Sequence, residues 1–262
     1  MENTLLFLAL LPGIIIIIFI FRKDRVEHEP MGLIFKLVLF GAISCIPAMF
    51  LEMGMGGLNP GFKEGTVEFA VFEAFAVAAL CEEICKFVLL RLGSWRNRNF
   101  DYRFDGIVYG VCVAVGFALL ENVLYVMSSG LETAVMRGIL AVPLHAFCGV
   151  FMGVFYGAAK KASIEGNHGK ALSNTVKALI IPMLIHGFYD MLAFMQTTTS
   201  SIILLVFVGF MYIVAVKCVN RYSKDDWKAA FYYNSGEFNE NLGRLSVDDN
   251  NEDDISQWHY RP

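Results

Sequence analysis

The sequence predicts an all-α, polytopic integral membrane bundle, and three observations carry that prediction. The 262 residues are 56% hydrophobic, include 23 phenylalanines and are only 18% charged, far more apolar than a soluble domain. Seven apolar runs reach spanning length, at 5–21, 33–51, 67–90, 106–127, 135–159, 175–195 and 202–219. The basic residues alternate between the connections. Arg22, Lys23 and Arg25 fill the first, Arg91, Arg96, Arg98 and Arg103 the third, and Lys160, Lys161 and Lys170 flank the fifth. The second holds only Lys63, the fourth none before Arg137, and the sixth none, while Lys217, Arg221, Lys224 and Lys228 follow the last run. Cytoplasmic loops are the Lys/Arg-rich ones, so the N-terminus is expected outside and the C-terminus in the cytoplasm.

Each element has its own justification. The first run starts at Met1-Glu2-Asn3, has no small-residue cleavage site and is followed at once by basic residues, which fits a retained anchor. The second run ends in a loop made irregular by Gly54, Gly56, Gly57, Pro60 and Gly61, expected to lie on the surface. In the third, Glu68 and Glu73 mark the outer interface, so the span proper starts near Glu73. Asp105 opens the fourth as a helix-start residue, and Gly106 and Gly110 let a neighbour approach. The fifth carries Gly149, Gly153 and Gly157 on the face of His145, and the sixth has Pro182 one turn before His186. Residues 1–219 form the membrane-embedded domain, and 220–262 a cytoplasmic tail expected to be mobile, rich in Asp248, Asp249, Glu252, Asp253 and Asp254.

Composition also excludes. The net charge of −4 owes much to that tail, and no basic patch interleaves with aromatics, which argues against nucleic acid as a partner. All six cysteines lie in or beside apolar runs, where small buried residues belong, rather than in a loop framework of disulfides.

The chemistry concentrates in the third to sixth runs. Glu82, Glu83 and Lys86 sit inside an apolar stretch, where one ionisable group alone costs about 3 kcal/mol on insertion scales. Three together imply pairing or a wet cavity. Glu82 and Lys86, four apart, share a helix face and Glu83 points about 100° away, so Lys86 neutralises one carboxylate and leaves the other free. Phe117 precedes Glu121 and Asn122, a carboxylate and an amide at depth. His145 has a rigid mount on the glycine face, and His186 and Asp190 stand at the spacing by which a carboxylate orients an imidazole. Counted along the helices, Glu121 lies nearer the outer face than Glu82, so tilt or an outward-opening cavity must join them.

In that order on successive helices, Glu82-Glu83-x-x-Lys86, Phe117-x-x-x-Glu121-Asn122, His145 and His186-x-x-x-Asp190 resemble the PrsW intramembrane proteases. These belong to the clan that includes CAAX prenyl endopeptidases and bacteriocin-processing proteins. The resemblance runs from the first helix to about Met195 and includes 104–110 and 116–125. It implies a multi-pass protein of the bacterial plasma membrane. Its substrate would be a single-pass membrane protein, typically an anti-sigma factor, cut on its extracytoplasmic side to start regulated proteolysis in a stress response. Glu82, Glu83, Glu121, His145 and His186 would be catalytic, with Lys86, Asn122, Asp190 and Phe117 in support, and with no metal cofactor.

Elementary chemistry agrees with a hydrolase. A buried Glu beside a second carboxylate is suited to activate water, and His145, His186 and Asn122 can supply donors to an oxyanion or leaving group. Cys148, three residues from His145, makes no special dyad. Three other readings stay open on the residues alone. One is a zinc protease with His145, His186, Asp190 and Glu82 or Glu83 as ligands, although no His-Glu-x-x-His occurs. Another is a proton-coupled transporter, against which stands the lack of an inverted repeat. The last is a non-catalytic sensor or immunity protein.

Overall fold

The computed structural model describes residues 2–234, with side chains from Leu6 to Asp226; the acidic end of the tail, 235–262, lies outside the described residues. Its helices are α1 (Glu2–Lys23), α2 (Met31–Gly56), α3 (Val67–Val71), α4 (Leu80–Ser94), α5 (Arg103–Ser129), α6 (Leu131–Ile139), α7 (Ala141–Ile164), α8 (His168–Phe194) and α9 (Thr198–Asn234). An eight-residue π-helical stretch, Phe72–Ala79, joins α3 to α4 without a break. No strand occurs among the described residues.

Six helical stretches are long and apolar enough to cross a membrane: Leu6–Lys23, Met31–Gly56, Arg103–Ser129, Leu131–Ile164, His168–Phe194 and Thr198–Asp226. The seventh expected span, 67–90, is helical from 67 to 94 but is not among these six; it carries Glu68, Glu73, Glu82, Glu83 and Lys86. Glu82, Glu83 and Lys86 are buried among protein groups, so lipid does not have to solvate them. The expected fifth span, 135–159, is divided at Leu140. The short α6 comes first, and α7 is the buried element.

The bundle is built on α5, buried without interruption from Phe104 to Ala118. On one side it meets α7 through the expected glycines. A Cβ on Gly106 would stand 2.6 Å from Gly153 O, and one on Gly149 would stand 2.7 Å from Gly110 O. Only glycine permits this backbone contact, which fixes α7 and with it His145. On the other side Gly41 of α2 abuts the Val113 backbone. α8 packs on α7 and on the π-helical stretch, and α9 packs outside α7 and α8.

Large apolar side chains that have no interior to fill, such as Phe7, Ile15, Phe35, Phe50, Val206 and Phe210, are exposed around the bundle. That belt is the surface a bilayer requires of a multi-pass protein. α9 continues past Val219, where Ser223 Oγ donates to Lys23 O and Asp226 accepts from the Phe104 N–H. Asp105 has its expected helix-start role: its Oδ2 accepts from the N–H groups of Asp101 at 3.0 Å and Tyr102 at 2.7 Å.

Candidate active site

The site begins with Lys86, whose ammonium is wholly buried. Its three donors meet three acceptors: Glu82 Oε2 at 2.9 Å, Glu83 Oε1 at 2.8 Å and His145 Nδ1 at 3.1 Å. The Phe117 ring closes the remaining side, 4.0 Å from Nζ to its centroid, as a cation–π contact. The expectation that Lys86 takes one glutamate and leaves the other free is therefore corrected. Its long stem reaches the carboxylates three and four residues before it at once.

Because the ammonium donates to Nδ1, His145 carries its proton on Nε2, which donates to Glu121 Oε2 at 2.9 Å. His186 is placed differently, with Nδ1 2.9 Å from Glu83 Oε1 and Nε2 3.2 Å from Asp190 Oδ2. A carboxylate at each nitrogen makes both donors. The two rings stand edge to face, with centroids 5.0 Å apart. Gly187 follows His186 where α8 presses on the π-helical stretch, and a Cβ there would collide with the Phe75 ring. That contact holds α8 against the helix bearing Glu82 and Glu83.

The two glutamates are not equivalent. Glu83 is sealed, and its Oε2 is buried with no hydrogen-bond partner. Glu82 lines a cavity of about 640 Å³ that runs to the end of the bundle where α2, α5 and α8 finish. Glu121, His145, His186, Asp190 and Phe117 line it too. Glu82 Oε2 is held by Lys86, with His186 Nε2 3.8 Å and His145 Nδ1 4.0 Å away, whereas Oε1 has no hydrogen-bond partner among the described residues. The cavity thus resolves the mismatch in depth between Glu121 and Glu82.

Asn122 does not join the others. It is fully buried and donates to Ala9 O of α1 at 2.8 Å, because the residue after a cavity-facing glutamate points to another side of the helix. It takes no part in the cavity wall, which corrects its expected place among the oxyanion donors. Arg137 was not singled out in the sequence. Gly130, at φ 84°, turns the chain so that α6 folds back with Arg137 Nη2 2.8 Å from Glu121 Oε2, a charge contact rather than an aligned hydrogen bond. Arg137 Nε donates to Asn122 Oδ1 at 3.1 Å. Its one signal in the sequence is that it is the basic residue of an otherwise uncharged or acidic fourth connection.

Cys148 Sγ, fully buried, points to Pro182 O at 3.7 Å and away from His145. Among the described residues one group of side chains lies close enough to share a metal ion: Glu82, Glu83, His145 and His186, whose ligating atoms all fall within 4.8 Å of one another.

A polytopic helical membrane protein with paired carboxylates and imidazoles on the floor of a cavity has the makings of an intramembrane hydrolase. Comparison with known proteins gives the class a family. The family model described as "PrsW family intramembrane metalloprotease" matches residues 29–216. The chain is 35% identical to Protease PrsW of Geobacillus kaustophilus over 181 residues, 69% of this chain and 76% of that protein. It is 32% identical to Protease PrsW of Bacillus subtilis over 203 residues, 77% of this chain and 87% of the relative. To Protease PrsW of Oceanobacillus iheyensis it is 30% identical over 218 residues, 83% and 95%. No solved structure matches it significantly. The chain belongs to the PrsW family of intramembrane proteases.

Proposed function

We propose that the protein is an endopeptidase of the bacterial plasma membrane that cuts a single-pass membrane protein next to its transmembrane helix, with water activated by Glu82. The observation that carries this reading is the asymmetry of the glutamate pair. Glu82 opens to the cavity with one carboxylate oxygen free of protein partners, while Glu83 is sealed behind it and binds Lys86 and His186.

In this mechanism Glu82 takes a proton from a water in the cavity, and the resulting hydroxide adds to the scissile carbonyl carbon. The Nε2–H groups of His145 and His186, which rest on Glu121 and Asp190, turn to the tetrahedral oxyanion as it forms, while Glu83 holds the other nitrogen of His186. Glu82 then passes its proton to the amide nitrogen as the C–N bond breaks, which restores the carboxylate. Lys86 binds both glutamates and fixes the His145 tautomer, so it positions the site without touching substrate.

A second reading has specific support. The matched family model is described as a metalloprotease, and two carboxylates with two imidazoles suit zinc. The orphaned Glu83 Oε2 is an atom that such an ion could satisfy. Held by Glu82, Glu83, His145 and His186, a metal would supply Lewis-acid activation of water. The ammonium of Lys86 lies among the same oxygens and His145 Nδ1, however, and two cations cannot share that space. We therefore favour the glutamate reading.

The alternating basic residues support an orientation with the N-terminus outside, in which the cavity opens to the extracytoplasmic side. The family resemblance supports an anti-sigma factor as the substrate. The test is reconstituted protein in vesicles with candidate single-pass substrates, with and without a strong chelator, read by the mass of the fragments. Cleavage that survives chelation supports the glutamate mechanism. Cleavage abolished by chelator and restored by zinc replaces it with the metal one.

A further inference from the structure

We propose that the rim of the cavity binds a cationic side chain, lysine or arginine, of the substrate segment flanking its transmembrane helix, and that Glu52 and Glu73 receive it. The proposal rests on reading the cavity as the substrate channel of a protease. It follows from matching charges within that channel. Deep in the cavity every carboxylate has a positive or proton-donating neighbour: Glu82 has Lys86, Glu121 has Arg137 and His145, and Asp190 has His186.

At the rim the matching stops. Glu52, near the end of α2, and Glu73, in the π-helical stretch, both line the cavity and are half-buried. Neither has a hydrogen bond or ion pair among the described residues. Arg137, the cation on the cavity wall, is committed to Glu121. Glu52 also lies within electrostatic reach of Glu82 and Glu121 and, more weakly, of Lys86 and His186, so the interior gives it no net compensation. Two uncompensated carboxylates in a wall of low dielectric attract a cation from the incoming chain.

Geometry says which kind of cation. Among the described residues Glu52 and Glu73 belong to no group of three or more ligating side chains close enough to chelate an ion, which favours a charged side chain over a metal. Glu52 stands on α2, and Glu73 on the π-helical stretch that follows α3, the helix reached from α2 through the loop 57–66, and both line the cavity. The wide π-helical turn keeps Glu73, Val77, Ala78 and Glu82 on one wall, which leads from the rim carboxylate to the proposed base. A long, flexible side chain with a terminal charge spans such a rim while its backbone continues toward Glu82.

The experiment uses the full chain in vesicles with a library of single-pass peptides that share one transmembrane segment and carry eight randomised residues on its extracytoplasmic side. Fragments are sequenced by mass spectrometry. We expect Lys and Arg to be enriched about tenfold among cleaved members at one position relative to the cut, the scale of one partly buried charge pair. The Glu52→Gln, Glu73→Gln variant should cleave without that preference, and Glu52→Lys, Glu73→Lys should select Asp or Glu there. The amount of inserted protein, measured alongside, separates loss of preference from loss of fold. If the natural protein cleaves the library with no cationic preference while Glu82→Gln cleaves nothing, the rim proposal is wrong and the protease reading stands. If nothing is cleaved beyond the Glu82→Gln control, the protease reading fails and takes the rim proposal with it.

Discussion

The molecule buries carboxylates in two places and treats them in opposite ways. In the cavity or directly behind it, Glu82, Glu83, Glu121 and Asp190 each face an ammonium, a guanidinium or an imidazole. At the other end of the bundle, Asp24 and Glu29 between α1 and α2, with Asp101 before α5, are in no ion pair among the described residues. Asp24 Oδ2 accepts only the Glu29 N–H, at 3.3 Å, and Glu29 Oε2 is buried with no partner. Burial there pushes the Asp24 and Asp101 carboxyls up to about 6 and Glu29 up to about 8. The same residue type is thus given a cationic or proton-donating partner at one end and is driven toward the neutral acid at the other. The first arrangement suits chemistry, and the second closes the α1–α2 turn through the Glu29 N–H on Asp24 Oδ2.

That contrast can be broken at several strengths. His145→Ala and His186→Ala should each lower cleavage at least about a hundredfold with the protein still inserted, because each removes a donor to the reacting groups. Rates measured against the amount of folded protein decide it. Lys86→Met should destabilise the bundle by about 3–5 kcal/mol, since it leaves two buried carboxylates without their cation. Denaturant unfolding in detergent reads that loss, and adding Glu83→Gln to Lys86→Met should recover part of it. If Lys86→Met is as stable as the natural protein, the cation does not hold the pair.

Asp190→Asn should give an intermediate loss, about tenfold, if Asp190 only orients His186.

The cluster of Asp24, Glu29 and Asp101 makes a prediction of the opposite sign. Glu29, Asp24 and Asp101 bind protons more tightly folded than unfolded, so their contribution is fully present only below about pH 4 and is lost as pH rises through about 6 and 8. Thermal melting in detergent should show that decline, and Glu29→Gln should flatten its upper part. A melting temperature that rises over the same range would contradict the assignment. At the weak end, Cys81→Ala, Cys85→Ala and Cys148→Ala should keep cleavage within about twofold, because these thiols only fill space.

Much of this was legible in the sequence for physical reasons that can be named. Apolar runs and glycine spacing reveal membrane helices and their close contacts because lipid and backbone approach impose those patterns directly, as at Gly106, Gly110, Gly149 and Gly153. Ionisable residues within apolar runs gave Glu82, Glu83, Lys86, Glu121, His145, His186 and Asp190, which the structure gathers around one cavity or directly behind it. What escaped depends on orientation. Helix periodicity separates Glu82 from Glu83 but cannot say which faces a cavity, nor that Lys86 reaches both. Asn122 looked like a partner of Glu121 in the site, yet the helical turn sends it to α1. Arg137 sits on a short helix whose position depends on the chain reversal at Gly130, a long-range fact that local pattern does not carry. Nor does the π-helical stretch have a recognisable sequence signal, since Phe72–Ala79 reads as ordinary apolar helix.

The proposed mechanism stands on Glu82 as the base, with Glu83 behind it holding Lys86 and His186. Its most direct test is the cleavage rate of a single-pass substrate in vesicles by the Glu82→Gln, Glu83→Gln double variant, with insertion and amount matched to the natural protein. Gln keeps the shape of both side chains but cannot take a proton from water. The account predicts no cleavage above background, with Glu82→Gln alone giving the same result. Full activity in the double variant would contradict it.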